Sequence, residues 1–146
     1  MKANSARRVA KRCQVTPLQV DEVVGYYSML HRKPMGKHHV QVCTNVACML
    51  RGGYDILNQA KKRLEIGHKE VTKDGMFSLE EVECIGACTG APAIQVNYDF
   101  YENLTPSSFD KIIEELDAGK KPAPVQVTSG ALHPRPKHLR EGLNLR

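Results

Sequence analysis

The sequence lacks any apolar run approaching the length of about eighteen residues that a transmembrane helix requires. Its basic start is also not followed by the apolar segment of a secretory signal. Together these absences predict a soluble, intracellular protein with no direct membrane insertion. The 146 residues are enough for one domain with tails.

Three further absences narrow the possible functions. Neither G-x-G-x-x-G nor G-x-x-x-x-G-K-[ST] surrounds Gly52-Gly53, so no nucleotide site is predicted. The C-x-x-C motif of thioredoxins is missing as well. No basic stripe interleaved with aromatic residues is present, so we expect no nucleic-acid partner.

What the chain does have is five cysteines, four of them in two close pairs. Cys43 and Cys48 form the first pair, Cys84 and Cys88 form the second, and Cys13 is left over. In a reducing compartment such cysteines indicate metal ligands or redox chemistry more than structural disulfides. A single site built from both pairs is therefore our working hypothesis.

The spacing within the two pairs favours an iron–sulfur cluster over zinc. Four thiolates satisfy a [2Fe-2S] core, and small residues surround both pairs, so backbone N–H groups can approach sulfur. A four-cysteine zinc site would also tolerate these gaps, and redox disulfides or inert thiols remain alternatives. Acidic residues before Cys84 predict a low reduction potential: Glu80, Glu81 and Glu83. Adjacent His38 and His39 would point to opposite faces of a strand, and we interpret them as surface residues rather than ligands.

The N-terminal region reads as two helices. Val9 and Cys13 lie four residues apart between Ser5 and Gln14, which predicts a short helix with Cys13 as a small buried hydrophobe. Thr16-Pro17 predicts the start of a second helix, which should run to about Leu30.

From His39 the pattern changes to short strands alternating with helices. A strand over 40–42 should deliver Cys43, and Asp74-Gly75 predicts a hairpin whose second strand, 77–82, feeds Cys84. The sequence predicts two further strands, over 93–96 and 99–103. An amphipathic helix is predicted after Cys48 and ends at Gly67, on the spacing of Leu50, Tyr54, Leu57, Ala60 and Leu64. A last helix should run from Thr105-Pro106 to Gly119.

This order predicts an α/β (α+β) fold, a thioredoxin-like domain with a small mixed sheet flanked by helices. We predict a helical arm over 1–33, the [2Fe-2S] domain over 38–120, and an extended basic tail over 121–146. Of the net charge of +5, residues 1–13 carry +5 and residues 132–146 carry +3, which leaves −3 on the body. Such basic ends favour docking to a larger protein assembly.

The chain resembles a known family over about residues 6–120. The segments that carry the resemblance are V-V-G-Y-Y-S-M-L-H-R-K-P-M-G-K-H-H-V-Q-V-C-T-N-V-A-C-M-L-R-G-G and T-K-D-G-M-F-S-L-E-E-V-E-C-I-G-A-C-T-G-A-P-A-I-Q-V-N. They are similar to the thioredoxin-like [2Fe-2S] E subunits of NADH:quinone oxidoreductase, respiratory complex I, called the 24 kDa subunit in mitochondria. By matching, Cys43, Cys48, Cys84 and Cys88 would be the cluster ligands.

The resemblance also implies a role and a setting. It implies an electron-transfer subunit of an oxidoreductase that binds neither NADH nor FMN itself and accepts single electrons from the FMN of a partner subunit. Its partners would be that FMN/NADH-binding subunit and a neighbouring iron–sulfur subunit. Relatives of the same pattern serve in soluble NAD-linked hydrogenases and formate dehydrogenases, and the motifs do not separate these from complex I.

Two departures from the family accompany this resemblance. Family members begin with more helical sequence, so the resemblance predicts a truncated arm, and the segment 133–146 is not part of the shared pattern. An Arg-rich start can also be a mitochondrial transit peptide, but here it merges into family sequence. We therefore expect a bacterial cytoplasmic protein held peripherally at the inner membrane rather than in the mitochondrial matrix.

Overall fold

The computed structural model describes residues 3–27 and 30–123. The chain divides into two compact units between Met35 and Gly36. No helix in the described ranges is both long and apolar enough to cross a membrane. Of the predicted tail, residues 124–146 lie outside the described residues.

The first unit contains two helices, α1 (Ala3–Cys13) and α2 (Pro17–Tyr26). The helices bury Ala6 and Ala10 of α1 with Val20 and Val24 of α2. A capping box between Thr16 and Gln19 begins α2, as the Thr-Pro signal predicted.

Two expectations for this unit were wrong. Cys13 is exposed rather than buried, because α1 turns its alanines and not the Val9–Cys13 stripe inward. Helix α2 ends at Tyr26 instead of near Leu30, since Tyr27 has extended backbone angles.

The second unit is a five-stranded mixed sheet with helices. Its elements are β1 (His38–Cys43), α3 (Val46–Leu50), α4 (Gly53–Leu64), β2 (Glu70–Val71), β3 (Phe77–Val82), a 3-10 turn (Cys88–Gly90), β4 (Ile94–Val96), β5 (Asp99–Tyr101) and α5 (Pro106–Asp117). The strand order is β2-β3-β1-β4-β5, with β1 and β3 parallel and the other pairs antiparallel. The predicted mixed sheet and its hairpin are confirmed.

The core lies on one face of this sheet. Val40, Val42 and Leu79 are fully buried there with Ile94, and helices α4 and α5 contribute the rest of the cluster, which includes Ile56, Leu57, Ala60, Phe109, Ile112 and Ile113. Period-two alternation along β1 therefore turns Cys43 away from this core, at the carboxyl end of the strand.

The helix predicted after Cys48 is two helices. Gly52 has a positive φ of 94°, which glycine adopts without steric cost, and this residue separates α3 from α4. Helix α4 then ends with Glu65 in the left-handed region, two residues before the predicted Gly67. Because the break at Gly52 interrupts the helical periodicity, Leu50 and Tyr54 are exposed instead of lying on the buried face.

Candidate metal centre

The first cysteine pair is built into the end of β1 and the helix that follows. Cys43 is the last residue of β1, and Cys48 lies within α3, which Asn45 caps by accepting a hydrogen bond from the Val46 N–H. Both side chains are buried, with 2% and 1% of their surface exposed. Their thiols therefore approach the site from inside the protein.

The second pair lies on the loop that leaves β3. Cys84 follows the strand and Cys88 begins the 3-10 turn Cys88–Gly90; both are exposed. Between them Gly86 has a φ of 78°, and its N–H donates to Cys84 Sγ at 3.3 Å. This is the kind of backbone-to-sulfur contact expected around a thiolate ligand.

Strand pairing brings the two loops to one edge of the sheet. Because β1 and β3 are parallel and Cys43 pairs with Val82, both cysteine loops leave the sheet at the same end. Cys43 Sγ donates to the Glu83 carbonyl at 3.6 Å, and α3 lies beside the 3-10 turn. The sheet topology thus supports the single site predicted from spacing.

The thiols also interact electrostatically. Burial, followed by a hydrogen bond with Cys43 and repulsion from Cys43 and Cys88, raises the pKa of Cys48 to about 12. Negative charge on Cys84 is the main cause that raises the pKa of Cys88. The free protein therefore resists ionising these two thiols, and a bound cation centre would reverse that preference by stabilising thiolates.

Small apolar side chains enclose the site. Ala87, Ala91 and Ala93 are buried with Cys43 and Cys48, and Ala47, Ile85 and Phe100 pack against them. Such residues add no competing ligand and leave room for backbone N–H groups near sulfur.

The four thiols form a donor set for a metal centre. Within the described ranges, no group of three or more His, Cys, Asp or Glu side chains is already arranged to hold a metal ion. The two thiol pairs, one buried and one exposed, supply the two thiolates for each of two irons that a [2Fe-2S] cluster requires. The donor set therefore fits a [2Fe-2S] cluster, and four thiolates would also satisfy tetrahedral zinc.

The structure also places a buried acidic residue, Glu102, beside the Cys88 loop, and the sequence analysis did not identify it. Glu102 is only 3% exposed and its carboxylate lies against Gly90 of the 3-10 turn, where a Cβ would overlap it. No local sequence pattern predicts the burial of Glu102, because this burial depends on β5 passing beside the Cys88 loop.

The histidine pair was partly misinterpreted. His39 is buried, not on the surface: its Nδ1 lies 2.9 Å from Ser78 Oγ and its Nε2 lies 3.1 Å from Glu80 Oε2. Although these three side chains resemble a hydrolase triad, Ser78 has no exposed surface, so no substrate can reach it. The network joins β1 to β3.

Comparison with known proteins then identifies the family. The family model described as thioredoxin-like [2Fe-2S] ferredoxin matches residues 1–117. The chain belongs to this family. The match to this thioredoxin-like family, together with the mixed sheet and its helices, confirms the predicted fold class.

Curated relatives of this ferredoxin carry a more specific name. The E subunit of NADH-quinone oxidoreductase from Rickettsia bellii is 47% identical over 108 residues, which cover 74% of this chain and 65% of the relative. The corresponding protein of Rickettsia typhi, with the same name, is 46% identical over 107 residues, with 73% and 63% covered. The chain thus spans less than two thirds of the length of these relatives.

Solved structures show the same fold at low identity. An NAD⁺-reducing [NiFe]-hydrogenase in the air-oxidized state matches with a TM-score of 0.71 and 18% identity, over 80% of this ferredoxin and 20% of the hydrogenase chain. A thioredoxin-like [2Fe-2S] ferredoxin from Aquifex aeolicus matches with a TM-score of 0.50 and 21% identity, over 59% and 84% of the two chains.

Proposed function

We propose that this ferredoxin holds one [2Fe-2S] cluster on Cys43, Cys48, Cys84 and Cys88 and serves as the electron-transfer subunit of an NADH-quinone oxidoreductase. The observation that carries the proposal is the convergence of two cysteine pairs at one sheet edge, in a pocket lined by alanines, Ile85 and Phe100. Such a cluster supplies one-electron redox chemistry. The names of the Rickettsia relatives support the assembly in which this chemistry is used.

The two cysteine pairs and the residues around them have different roles in the proposed site. Cys43 and Cys48 anchor one side of the site in the sheet and in α3, while Cys84 and Cys88 close it from the exposed loop. The apolar pocket excludes water from the buried side, and the Gly86 N–H donates toward sulfur. Electrons would therefore enter and leave through the exposed side, where the second pair lies.

Exposed apolar side chains on and after α3, the helix beside the 3-10 turn that begins at Cys88, support a partner at that exposed side. Val46, Met49 and Leu50 of α3 are exposed, Leu50 by 77%, and Tyr54 at the start of α4 is half exposed. A cluster of exposed apolar residues is typical of a protein interface. The occupant we propose is the FMN/NADH-binding subunit, which would place its FMN within electron-transfer reach. A neighbouring iron–sulfur subunit is the second partner.

A soluble NAD-linked hydrogenase or formate dehydrogenase is the second candidate assembly. The fold match to the NAD⁺-reducing hydrogenase favours it over other oxidoreductases. The same cluster would then exchange single electrons with FMN in a soluble diaphorase module. For NADH-quinone oxidoreductase, the chain would lie in the bacterial cytoplasm, peripheral to the inner membrane.

The domain organisation belongs to the same proposal. Residues 1–33 would form the helical arm, 38–120 the cluster domain, and 121–146 a basic tail that docks to the assembly. Lys121 at the start of that tail pairs with Asp99 at 2.9 Å, and Tyr101 Oη donates to the Pro122 carbonyl at 3.3 Å. These contacts support an attachment of the tail to β5.

The cluster is tested on the full chain prepared without oxygen. We expect iron and acid-labile sulfide in equal amounts, two of each per chain, and a visible spectrum that bleaches with dithionite. Cys84→Ala should abolish the spectrum, whereas Cys13→Ala should leave it intact because Cys13 belongs to neither cysteine pair. Stoichiometric zinc in a colourless protein would overturn the proposal in favour of a zinc interaction module.

The assembly is tested by purifying the tagged full chain from its own host and identifying its partners by mass spectrometry. We expect an FMN/NADH-binding subunit together with membrane subunits of a quinone reductase. Hydrogenase or formate dehydrogenase subunits in a soluble complex would decide for the second candidate. Leu50→Glu should weaken recovery of the FMN subunit, while Tyr98→Glu, equally exposed but in the β4–β5 turn, should not.

A further inference from the structure

Glu102 is the one acidic residue in the described ranges that is buried. It follows β5, between Tyr101 and Asn103, and the sequence around it gives no metal-ligand pattern. A buried carboxylate loses much of its hydration, so its persistence in a fold calls for an explanation in its surroundings. Those surroundings are the loop that carries Cys88.

Backbone contacts join the Glu102 segment to the Cys88 loop. The Asn103 N–H donates to the Gly90 carbonyl at 2.7 Å, and the Leu104 N–H donates to the Pro92 carbonyl at 3.1 Å. Within the loop, the Ala91 N–H donates to the Cys88 carbonyl at 3.4 Å. The segment after β5 therefore holds the 3-10 turn in place from its C-terminal side.

The side chain of Glu102 fills the space that Gly90 leaves open. A Cβ on Gly90 would lie 2.7 Å from the Glu102 Cβ and would overlap its carboxylate. Gly90 is only two residues from Cys88, and the wall of the pocket beyond it is made of alanines and Phe100. The carboxylate is thus held close to the ligand set, in a region of low polarity where charge interactions are weakly screened.

From this placement we propose that Glu102 tunes the reduction potential of the cluster by its negative charge, a role that rests on the proposed [2Fe-2S] function. Reduction adds one electron to the cluster, and a fixed negative charge nearby opposes that addition. The charge of Glu102 therefore lowers the potential. Of the acids before Cys84 from which the sequence predicted a low potential, Glu83 is exposed, so water screens its charge and it contributes less.

The experiment is a redox titration of the full chain followed by visible absorbance and electron paramagnetic resonance. Glu102→Gln and Glu102→Met remove the charge while roughly keeping the volume; the second variant is included because replacement of a buried charge by an apolar residue of similar size is often tolerated. At a fixed potential we expect the ratio of reduced to oxidised cluster to rise about tenfold, equivalent to about 59 mV for one electron.

The matched control is Glu83→Gln, which removes the same charge from an exposed residue adjacent to Cys84. We expect a clearly smaller rise for this control, and Glu102→Asp, which keeps the charge, should stay near the wild-type ratio. An equal ratio in Glu102→Gln and Glu83→Gln would overturn the proposal. So would loss of the cluster in both neutral Glu102 variants with retention in Glu102→Asp, because this would indicate a role in loop structure alone.

Failure of this inference is distinguishable from failure of the proposed function. If the wild-type chain contains no iron and sulfide, the [2Fe-2S] function itself is wrong. If the chain contains the cluster but the reduction potential is the same in the wild type and in the neutral Glu102 variants, only the tuning role is wrong.

Discussion

The two cysteine pairs reach the same site from different structural environments. Cys43 and Cys48 are buried, one on a central strand and one in a capped helix, whereas Cys84 and Cys88 are exposed on a loop. The first pair is therefore fixed by the packing of the domain. The second depends on the local conformation of its loop and on contacts from the segment after β5.

The buried pair and the exposed pair therefore have different roles, although all four ligands are cysteines. A buried ligand pair prevents the site from moving relative to the sheet, because any shift would disturb the core. An exposed pair leaves one edge of the site accessible to a redox partner. The same asymmetry predicts that changes around the first pair affect cluster assembly more than equivalent changes around the second.

The largest predicted effect comes from substituting two glycines, one near each cysteine pair. A Cβ on Gly53 would lie 2.8 Å from the Cys43 carbonyl oxygen and 2.9 Å from the Cys48 carbonyl, so Gly53→Ala must displace the backbone of both buried ligands. We expect loss of most of the cluster, measured as iron and sulfide per chain, and a cost of about 1–3 kcal/mol in the free energy of unfolding.

Gly86→Ala is the matched change in the exposed loop. A Cβ there meets nothing within 4 Å, and the positive φ alone costs about 1–2 kcal/mol. The stability costs of the two variants therefore overlap, but Gly86→Ala should retain its cluster. Equal cluster content in the two variants would show that the two pairs do not differ as we describe.

The thiols of the metal-free chain should differ strongly in reactivity. Because burial, followed by the neighbouring thiols, raises the pKa of Cys48 to about 12, Cys48 carries much less thiolate near neutral pH than a cysteine in an unfolded chain. We expect slow alkylation by iodoacetamide, with a rate that rises with pH toward 12. Site-resolved mass spectrometry measures it.

Urea provides the control for this prediction. Unfolding removes the burial that raises the pKa, so Cys48 should then react at the rate of the other cysteines. Labelling of Cys48 in the folded metal-free chain as fast as labelling in urea would contradict the buried environment of the first pair.

The comparison also explains how much of the site the sequence could predict. Strand and turn signals located both cysteine loops because Val40 to Val42 and the Asp74-Gly75 turn are local patterns, and a parallel pairing of β1 with β3 then brings the loops together. The exposure of Leu50 was missed because helical spacing was continued across Gly52, whose left-handed backbone interrupts the helix.

Burial that depends on distant segments was the part that the sequence did not reveal. Cys13 was assigned to a buried stripe on its spacing with Val9, but Ala6 and Ala10 form the face that α2 covers. Glu102 and His39 are charged or titratable residues that ordinarily favour the surface, and only their neighbours on other strands account for their burial.

The smallest predicted effect concerns the hydrogen bond between the two halves of the site. Thr44, directly after Cys43, donates through Oγ1 to Glu81 Oε1 at 3.0 Å, and Glu81 lies on the strand that leads to Cys84. Thr44→Val should lower the free energy of unfolding by about 1 kcal/mol and leave the cluster in place, because the Thr44 N–H still donates to the Val82 carbonyl. Thr44→Ser, which keeps the hydroxyl, should recover most of that loss in chemical denaturation. An unchanged free energy of unfolding in Thr44→Val, or a larger loss in Thr44→Ser than in Thr44→Val, would contradict a stabilising hydrogen bond that joins the buried and exposed pairs.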